Sequence, residues 1–265
     1  MGIILLRFGA ALGDPRAQYL LGARYYSGDG IRQNYVVASK WFQKAARQGQ
    51  AAAQYNLGKM YVEGHGVHQD DREAFKWFEK AATRGVKEAQ FNLGYMYEKG
   101  IGVSQDWEEA FFWYEKAAQQ GDRYAQFNLG VMYDTGHGIP EEQQEAARYY
   151  TMAATQGHAR AQFNLGSMYS NGCGVGEDAQ EALKWYNLAA RQGIIEAQFN
   201  LGVLFCKGQG VRQDFIRAHM WFNVAAASGD EYAAKIRNEL AKHMTPDQIA
   251  EAQRLAGEWK PQKGP

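Results

Sequence analysis

A six-residue motif, Ala-Gln-aromatic-Asn-Leu-Gly, returns along this chain at a constant interval of 36 residues. It starts at Ala53, Ala89, Ala125, Ala161 and Ala197, and a looser copy, Ala17-Gln18-Tyr19-Leu20-Leu21-Gly22, precedes them. No insertion interrupts the count. A fixed period of roughly 20–50 residues belongs to solenoids, in which each unit buries its apolar face only against its neighbours. The 265-residue length would allow two ordinary domains, but the unbroken repeat argues for one elongated body.

Within the unit 89–124, Ala89, Leu93 and Tyr97 are spaced i, i+4, i+8, which places them on one helix face. Gly94 sits beside them, although glycine costs about 1 kcal/mol in a helix interior. Its return in every copy points to close approach of a partner helix. Gly100 and Gly102 then break the helix and form a tight loop. Asp106, with Asp70 and Asp214 at matching positions, caps a second helix that carries Ala110, Trp113, Tyr114, Ala117 and Ala118 on one face. Small alanines opposite the Trp suit a tightly packed helical hairpin. The recurrent Gly-x-Gly lacks the strand and third glycine of a dinucleotide fingerprint and reads as structural.

This register divides the chain into a partial repeat at 1–16 holding a second helix only, six repeats at 17–232, capping helices at 233–259 and a flexible tail at 260–265. Thr245-Pro246-Asp247 restarts a helix in the cap, with Ile249, Ala252, Leu255, Ala256 and Trp259 on its apolar face. The opening at residue 1 is either a true cap or the edge of a longer protein. Localisation is therefore cytoplasmic as the sequence stands, and periplasmic or secreted if an upstream signal has been removed.

The residues Ala-x-x-x-Leu-Gly-x-x-Tyr-x-x-Gly-x-Gly-Val, followed by Ala-x-x-Trp-Tyr/Phe-x-x-Ala-Ala-x-x-Gly, closely resemble the Sel-one-like repeat (SLR) family, relatives of the tetratricopeptide repeats. The match spans 17–232, and the plain tetratricopeptide period of 34 does not fit. The resemblance implies an all-α fold, a right-handed α/α superhelical solenoid of 36-residue helix-turn-helix repeats, serving as an adaptor for protein complexes and often bacterial. One cysteine-rich branch of that family is linked to penicillin binding and weak β-lactam hydrolysis. This chain has only Cys173 and Cys206, at unmatched positions in neighbouring repeats, and lacks the regular pairs of that branch.

Charge and motifs narrow the function further. Lys plus Arg equals Asp plus Glu at 29 each, without a basic cluster, so the basic surplus that nucleic-acid binders use is missing. No apolar run approaches the roughly 20 residues of a membrane span. The six histidines (His65, His68, His137, His158, His219 and His243) form no zinc-ligand spacing, and no nucleophile motif is present. The expectation is a non-catalytic chain without metal or cofactor. It would act as a protein-protein interaction scaffold that binds a protein or peptide in a concave groove, without nucleic acid or membrane insertion. The alternative is a cell-wall or β-lactam-binding protein with weak hydrolase activity.

At about 100° per residue, the motif's Asn falls on the side of the first helix left free by the Ala/Leu/Tyr face. Stacked repeats would align Asn56, Asn92, Asn128, Asn164 and Asn200 into a ladder. An amide both donates and accepts, so the ladder either clamps an extended peptide backbone or ties each helix to its neighbour. The motif's aromatic (Tyr55, Phe91, Phe127, Phe163 and Phe199) is expected to pack between successive first helices. Specificity is expected from positions that vary on the groove face: Lys59, Glu63, Tyr95, Glu98, Lys99, Asp134, Thr135 and Asn171. In the fourth repeat, Ile139-Pro140-Glu141-Glu142 replaces the usual loop and Tyr149 replaces the Trp.

Overall fold

The computed structural model describes residues 3–261. The first two residues of the expected partial repeat and the part of the expected tail from 262 onward lie outside the described residues. Within them the chain is an all-α solenoid: fifteen helices and no strand. It divides into two compact units, Met1–Ala125 and Gln126–Pro265.

The first unit opens with α1 (Ile3–Ala11), which packs on α2 (Pro15–Ser27). The helices α3 (Tyr35–Arg47), α4 (Ala51–Glu63), α5 (Asp71–Ala82), α6 (Lys87–Lys99) and α7 (Trp107–Gln119) follow, each packed on its predecessor. Helix α8 (Arg123–Thr135) carries the division. In the second unit α9 (Gln143–Thr155), α10 (Ala159–Asn171), α11 (Ala179–Arg191), α12 (Ile195–Lys207) and α13 (Phe215–Ala227) stack in the same way. Both α14 (Glu231–Ala241) and α15 (Pro246–Glu258) pack on α13.

Local chemistry sets these boundaries. The side chains of Asp70, Asp106, Asp178 and Asp214 each accept backbone N–H bonds in the first turn of a second helix. Glu142, which takes that position in the fourth repeat, makes no side-chain cap bond. Helix α15 begins with the capping box between Thr245 and Gln248.

The core alternates small and large side chains. Ala89 and Leu93 of α6 are fully buried, and each buried Leu is worth about 1.5–3 kcal/mol. Gly94 admits the ring of Tyr114, since a Cβ at Gly94 would lie 2.7 Å from Tyr114 Cδ1. The residue after the Trp thus fills the hairpin: Tyr114 is buried while Trp113 stays half-buried. The motif's aromatic packs on the ring of its own hairpin, and in three copies it also reaches the next first helix. Tyr55, Phe91, Phe163 and Phe199 each pack within their own hairpin, against Phe78, Tyr114, Tyr186 and Phe222 at 5.4–5.9 Å. Phe127 packs on Tyr150 of its own hairpin at 6.0 Å and stacks on His158, at the start of the next first helix, at 4.4 Å. Phe91 and Phe199 reach Tyr124 and Tyr232 of the following helix as well.

A row of buried glutamines joins successive repeats, at the second position of every motif copy: Gln18, Gln54, Gln90, Gln126, Gln162 and Gln198. The Nε2 of Gln18, Gln54, Gln90, Gln162 and Gln198 donates to the carbonyl eight residues earlier, at 3.1–3.4 Å. In four copies the Oε1 accepts from a second glutamine 30 residues on: Gln48 to Gln18, Gln120 to Gln90, Gln156 to Gln126 and Gln192 to Gln162, at 2.7–2.8 Å. Gln120 and Gln192 also donate to the carbonyls of Gly85 and Gly157, which fastens one hairpin to the next.

Two copies lack the second amide, because Arg84 and Ser228 stand there, and the Oε1 atoms of Gln54 and Gln198 are buried without a partner. Ser228 instead donates its hydroxyl to Val224 O. Ser228→Gln should therefore stabilise the second unit by about 1 kcal/mol, because it supplies a donor to an unsatisfied acceptor. Urea unfolding of the variant beside the wild type measures it, and an unchanged or lowered midpoint would contradict it.

His219 on α13 is buried among apolar groups, and that desolvation, with Arg237 nearby, holds its pKa below the ordinary 6.5. The unfolded chain then binds a proton that the folded chain refuses. Stability from this site is complete above pH 6.5 and declines as the pH falls from there toward the lower folded value. His219→Leu, which copies Leu183 of the preceding repeat, should flatten the stability–pH curve where it falls below pH 6.5. Equal slopes for wild type and variant would rule His219 out as the source.

Candidate functional site

The groove candidates occupy first helices, whose inner face is filled by Ala and Leu and whose last turn runs into a glycine loop. In the first unit, α4 and α6 flank a cleft of about 430 Å³. Phe78, Val62, Met96 and Ile101 supply its apolar lining, and Tyr55, Asn92, Tyr95, Lys59, Glu63 and Asp71 its polar one. The structure thus brings together four of the sequence candidates: Lys59, Glu63, Asn92 and Tyr95.

Each of these has a defined setting. Tyr95 is 42% exposed, with Lys99 Nζ 5.9 Å from its ring centroid. Lys99 also pairs with Glu98 at 2.6 Å. Lys59 and Glu63 lie 4.0 Å apart, one turn of α4 from each other. Glu63 Oε2 accepts from Tyr26 Oη at 3.0 Å and stands 2.9 Å from His65 Nδ1. Burial, and then the bond to Glu63, push the Tyr26 hydroxyl up to about 12. Tyr35 stacks on His65 at 4.5 Å. The Glu63 carboxylate is therefore held by a small aromatic cluster at the edge of the cleft.

The asparagines are half-buried in all five copies. Asn92 lies beside the Tyr55 hydroxyl, Asn164 beside Tyr150 and Asn200 beside Tyr186, where each amide favours the ionised phenol. Burial outweighs that effect at all three tyrosines and raises their pKa. Asn56 and Asn128 occupy the matching positions of α4 and α8.

Several of the varying positions hold internal bonds. Glu98 Oε2 accepts from Tyr114 Oη at 2.6 Å, and Asp134 Oδ2 accepts from Tyr150 Oη at 3.1 Å. Thr135 donates to Val131 O at 2.8 Å. Asn171 is exposed, with Nδ2 donating to Ser167 Oγ at 3.3 Å. Tyr95, Lys99, Thr135 and Asn171 are the exposed candidates, while Lys59 is half-buried.

The row of glutamines had no assigned role at the level of sequence. A polar residue next to the core Ala reads as surface. The usable signal was its invariance through all six copies, joined to the second glutamine 30 residues on.

Among the described residues, no group of three or more His, Cys, Asp or Glu could hold a metal ion. Cys173 is an exposed free thiol and Cys206 a half-buried one. No described helix is long and apolar enough to cross a membrane.

The Sel1 repeat model matches six consecutive stretches: 15–50, 51–86, 87–122, 123–158, 159–194 and 195–230. The chain is similar to the crystal structure of a Sel1 repeat protein from Oxalobacter formigenes. That likeness has 36% identity and a TM-score of 0.69, and covers 80% of this chain and 85% of that one. It is also similar to a protective antigen of uropathogenic Escherichia coli strains that displays an SLR fold, at 28% identity and TM-score 0.58, over 95% of this chain and 69% of that one. No curated protein matches the chain.

Proposed function

This chain belongs to the Sel1 repeat family, whose members generally act as protein-interaction scaffolds, and from that premise we propose that it is a non-catalytic adaptor docking a protein or peptide on its first-helix face. The cleft between α4 and α6 carries this reading. It offers an apolar floor at Phe78, Val62 and Met96 under a rim of Lys59, Glu63, Asn92 and Tyr95. Such a site takes one apolar side chain of a partner while the mixed rim sets its orientation. Tyr95 is the anchor, because an exposed aromatic gives large contact area at low conformational cost. Asparagines extend this face within each unit: Asn56 and Asn92 in the first, and Asn128, Asn164 and Asn200 in the second.

Tyr95→Ala should weaken partner binding about tenfold, or more, without unfolding the chain. Phe112→Ala serves as the control, since Phe112 is 44% exposed on the second helix α7. Calorimetric titration of both variants decides the matter. A loss at Phe112 with none at Tyr95 would move the docking surface to the second helices.

A further inference from the structure

A second cavity in the first unit, of about 770 Å³, lies where the ends of α3 and α5 meet the start of α4. It shares no lining residue with the cleft. Three cations line it, Arg47, Lys80 and Arg84, and no carboxylate does. Two buried polar atoms of its lining have no partner: Gln54 Oε1, an acceptor, and Trp77 Nε1, a donor. Gln54 is 3% exposed, with its Nε2 already donating to Ala46 O. Lys80 Nζ lies 4.5 Å from the Trp77 ring centroid, and the Arg84 guanidinium rests against Gly49.

The sister repeats show what this acceptor is built to receive. In four of them an amide N–H from a glutamine reaches the equivalent Oε1 at 2.7–2.8 Å. Here Arg84 replaces that glutamine, so the acceptor is buried without a donor and a guanidinium is added at the rim. An unpartnered buried amide oxygen costs about 1–3 kcal/mol, a cost that a ligand N–H would remove. The residues matching Lys80 and Arg84 in the last repeat are Val224 and Ser228, so Gln198, equally unpartnered, keeps only one of the three matching cations, Arg191 in place of Arg47.

We propose that this cavity binds an amide N–H next to a carboxylate, as found in an N-acylated amino acid or at the carboxy terminus of a peptide. The ligand N–H donates to Gln54 Oε1 and takes the place of the missing glutamine amide. The carboxylate meets Arg84 and Arg47, whose planar forks suit it, with Lys80 adding charge. Trp77 Nε1 donates to the ligand's acyl oxygen.

The test is a titration of the full chain with N-acetylglycine, followed by calorimetry and by the Trp77 indole N–H resonance, assigned with Trp77→Phe. Saturable binding that shifts this resonance is expected. N-acetylsarcosine, which lacks the N–H, and N-acetylglycinamide, which lacks the charge, should each bind about tenfold more weakly. Arg84→Gln should abolish binding while raising the unfolding midpoint, because it restores the donor found in the sister repeats. Arg47→Gln, which leaves Gln54 open, should weaken binding only in part. Tighter binding of acetyl-triglycine than of N-acetylglycine would assign the site to a peptide carboxy terminus. Equal binding would assign it to a free N-acyl amino acid. No saturation up to about 10 mM, equal affinity for N-acetylsarcosine, or undiminished binding to Arg84→Gln would overturn the proposal.

Discussion

Gly174→Ala is expected to destabilise the second unit by about 2–5 kcal/mol, a large effect for one added methyl group. Two costs add. Gly174 has a φ of +68°, where an L side chain costs about 1–2 kcal/mol. A Cβ there would also overlap the Gln143 carbonyl oxygen at the start of α9, and backbone cannot swing aside as a side chain can. Forced overpacking of that kind costs about 1–3 kcal/mol more. Gly193 provides the comparison within the same unit, with a φ of +88° but nothing within 4 Å of the point a Cβ would occupy. Gly193→Ala should therefore lose only the conformational part, about 1–2 kcal/mol. Urea unfolding of the two variants measures the difference. Equal losses would mean that the loop does not bear on the preceding hairpin.

Gln162→Leu should cost the second unit about 2 kcal/mol, although the change makes the side chain more apolar. The substitution removes the 3.1 Å bond to Ala154 O and leaves Gln192 without the acceptor it reaches at 2.8 Å. Gln54→Leu in the first unit should cost clearly less. There the substitution removes one bond, to Ala46 O, but also removes an Oε1 that is buried without a partner. Two chemically identical changes at equivalent positions should thus differ because of one residue, Gln192 against Arg84. If they prove equal, the link between glutamines adds nothing to stability.

The hairpins were legible in the sequence because their causes are local. Leu93, Gly94 and Tyr97 at helical spacing, the Gly100/Gly102 break and the Asp106 cap each act within a few residues. The period then repeats the lesson in every unit. The destination of Phe91 was partly legible: it reaches Tyr124 of the next first helix as expected, but spacing did not show that it would also pack on Tyr114 of its own hairpin. The Gln90–Gln120 bond was hard to read, because its partners lie 30 residues apart, and polar residues look like solvated surface until the burial of Gln90 is known; only their recurrence signalled it. The cleft was partly legible. Lys59, Glu63, Asn92 and Tyr95 converge, as residues sharing the free face of neighbouring first helices should, whereas Glu98 and Asp134 bond the buried hydroxyls of Tyr114 and Tyr150, which lie on other helices.

A site-specific photo-crosslinker, placed at Tyr95 in one variant and at Phe112 in another, tests most directly whether the first-helix face docks the partner. Irradiation of each variant in complex with its partner should give a covalent adduct from position 95 and none from position 112. An adduct from position 112 alone would contradict the account and place the partner on the second helices.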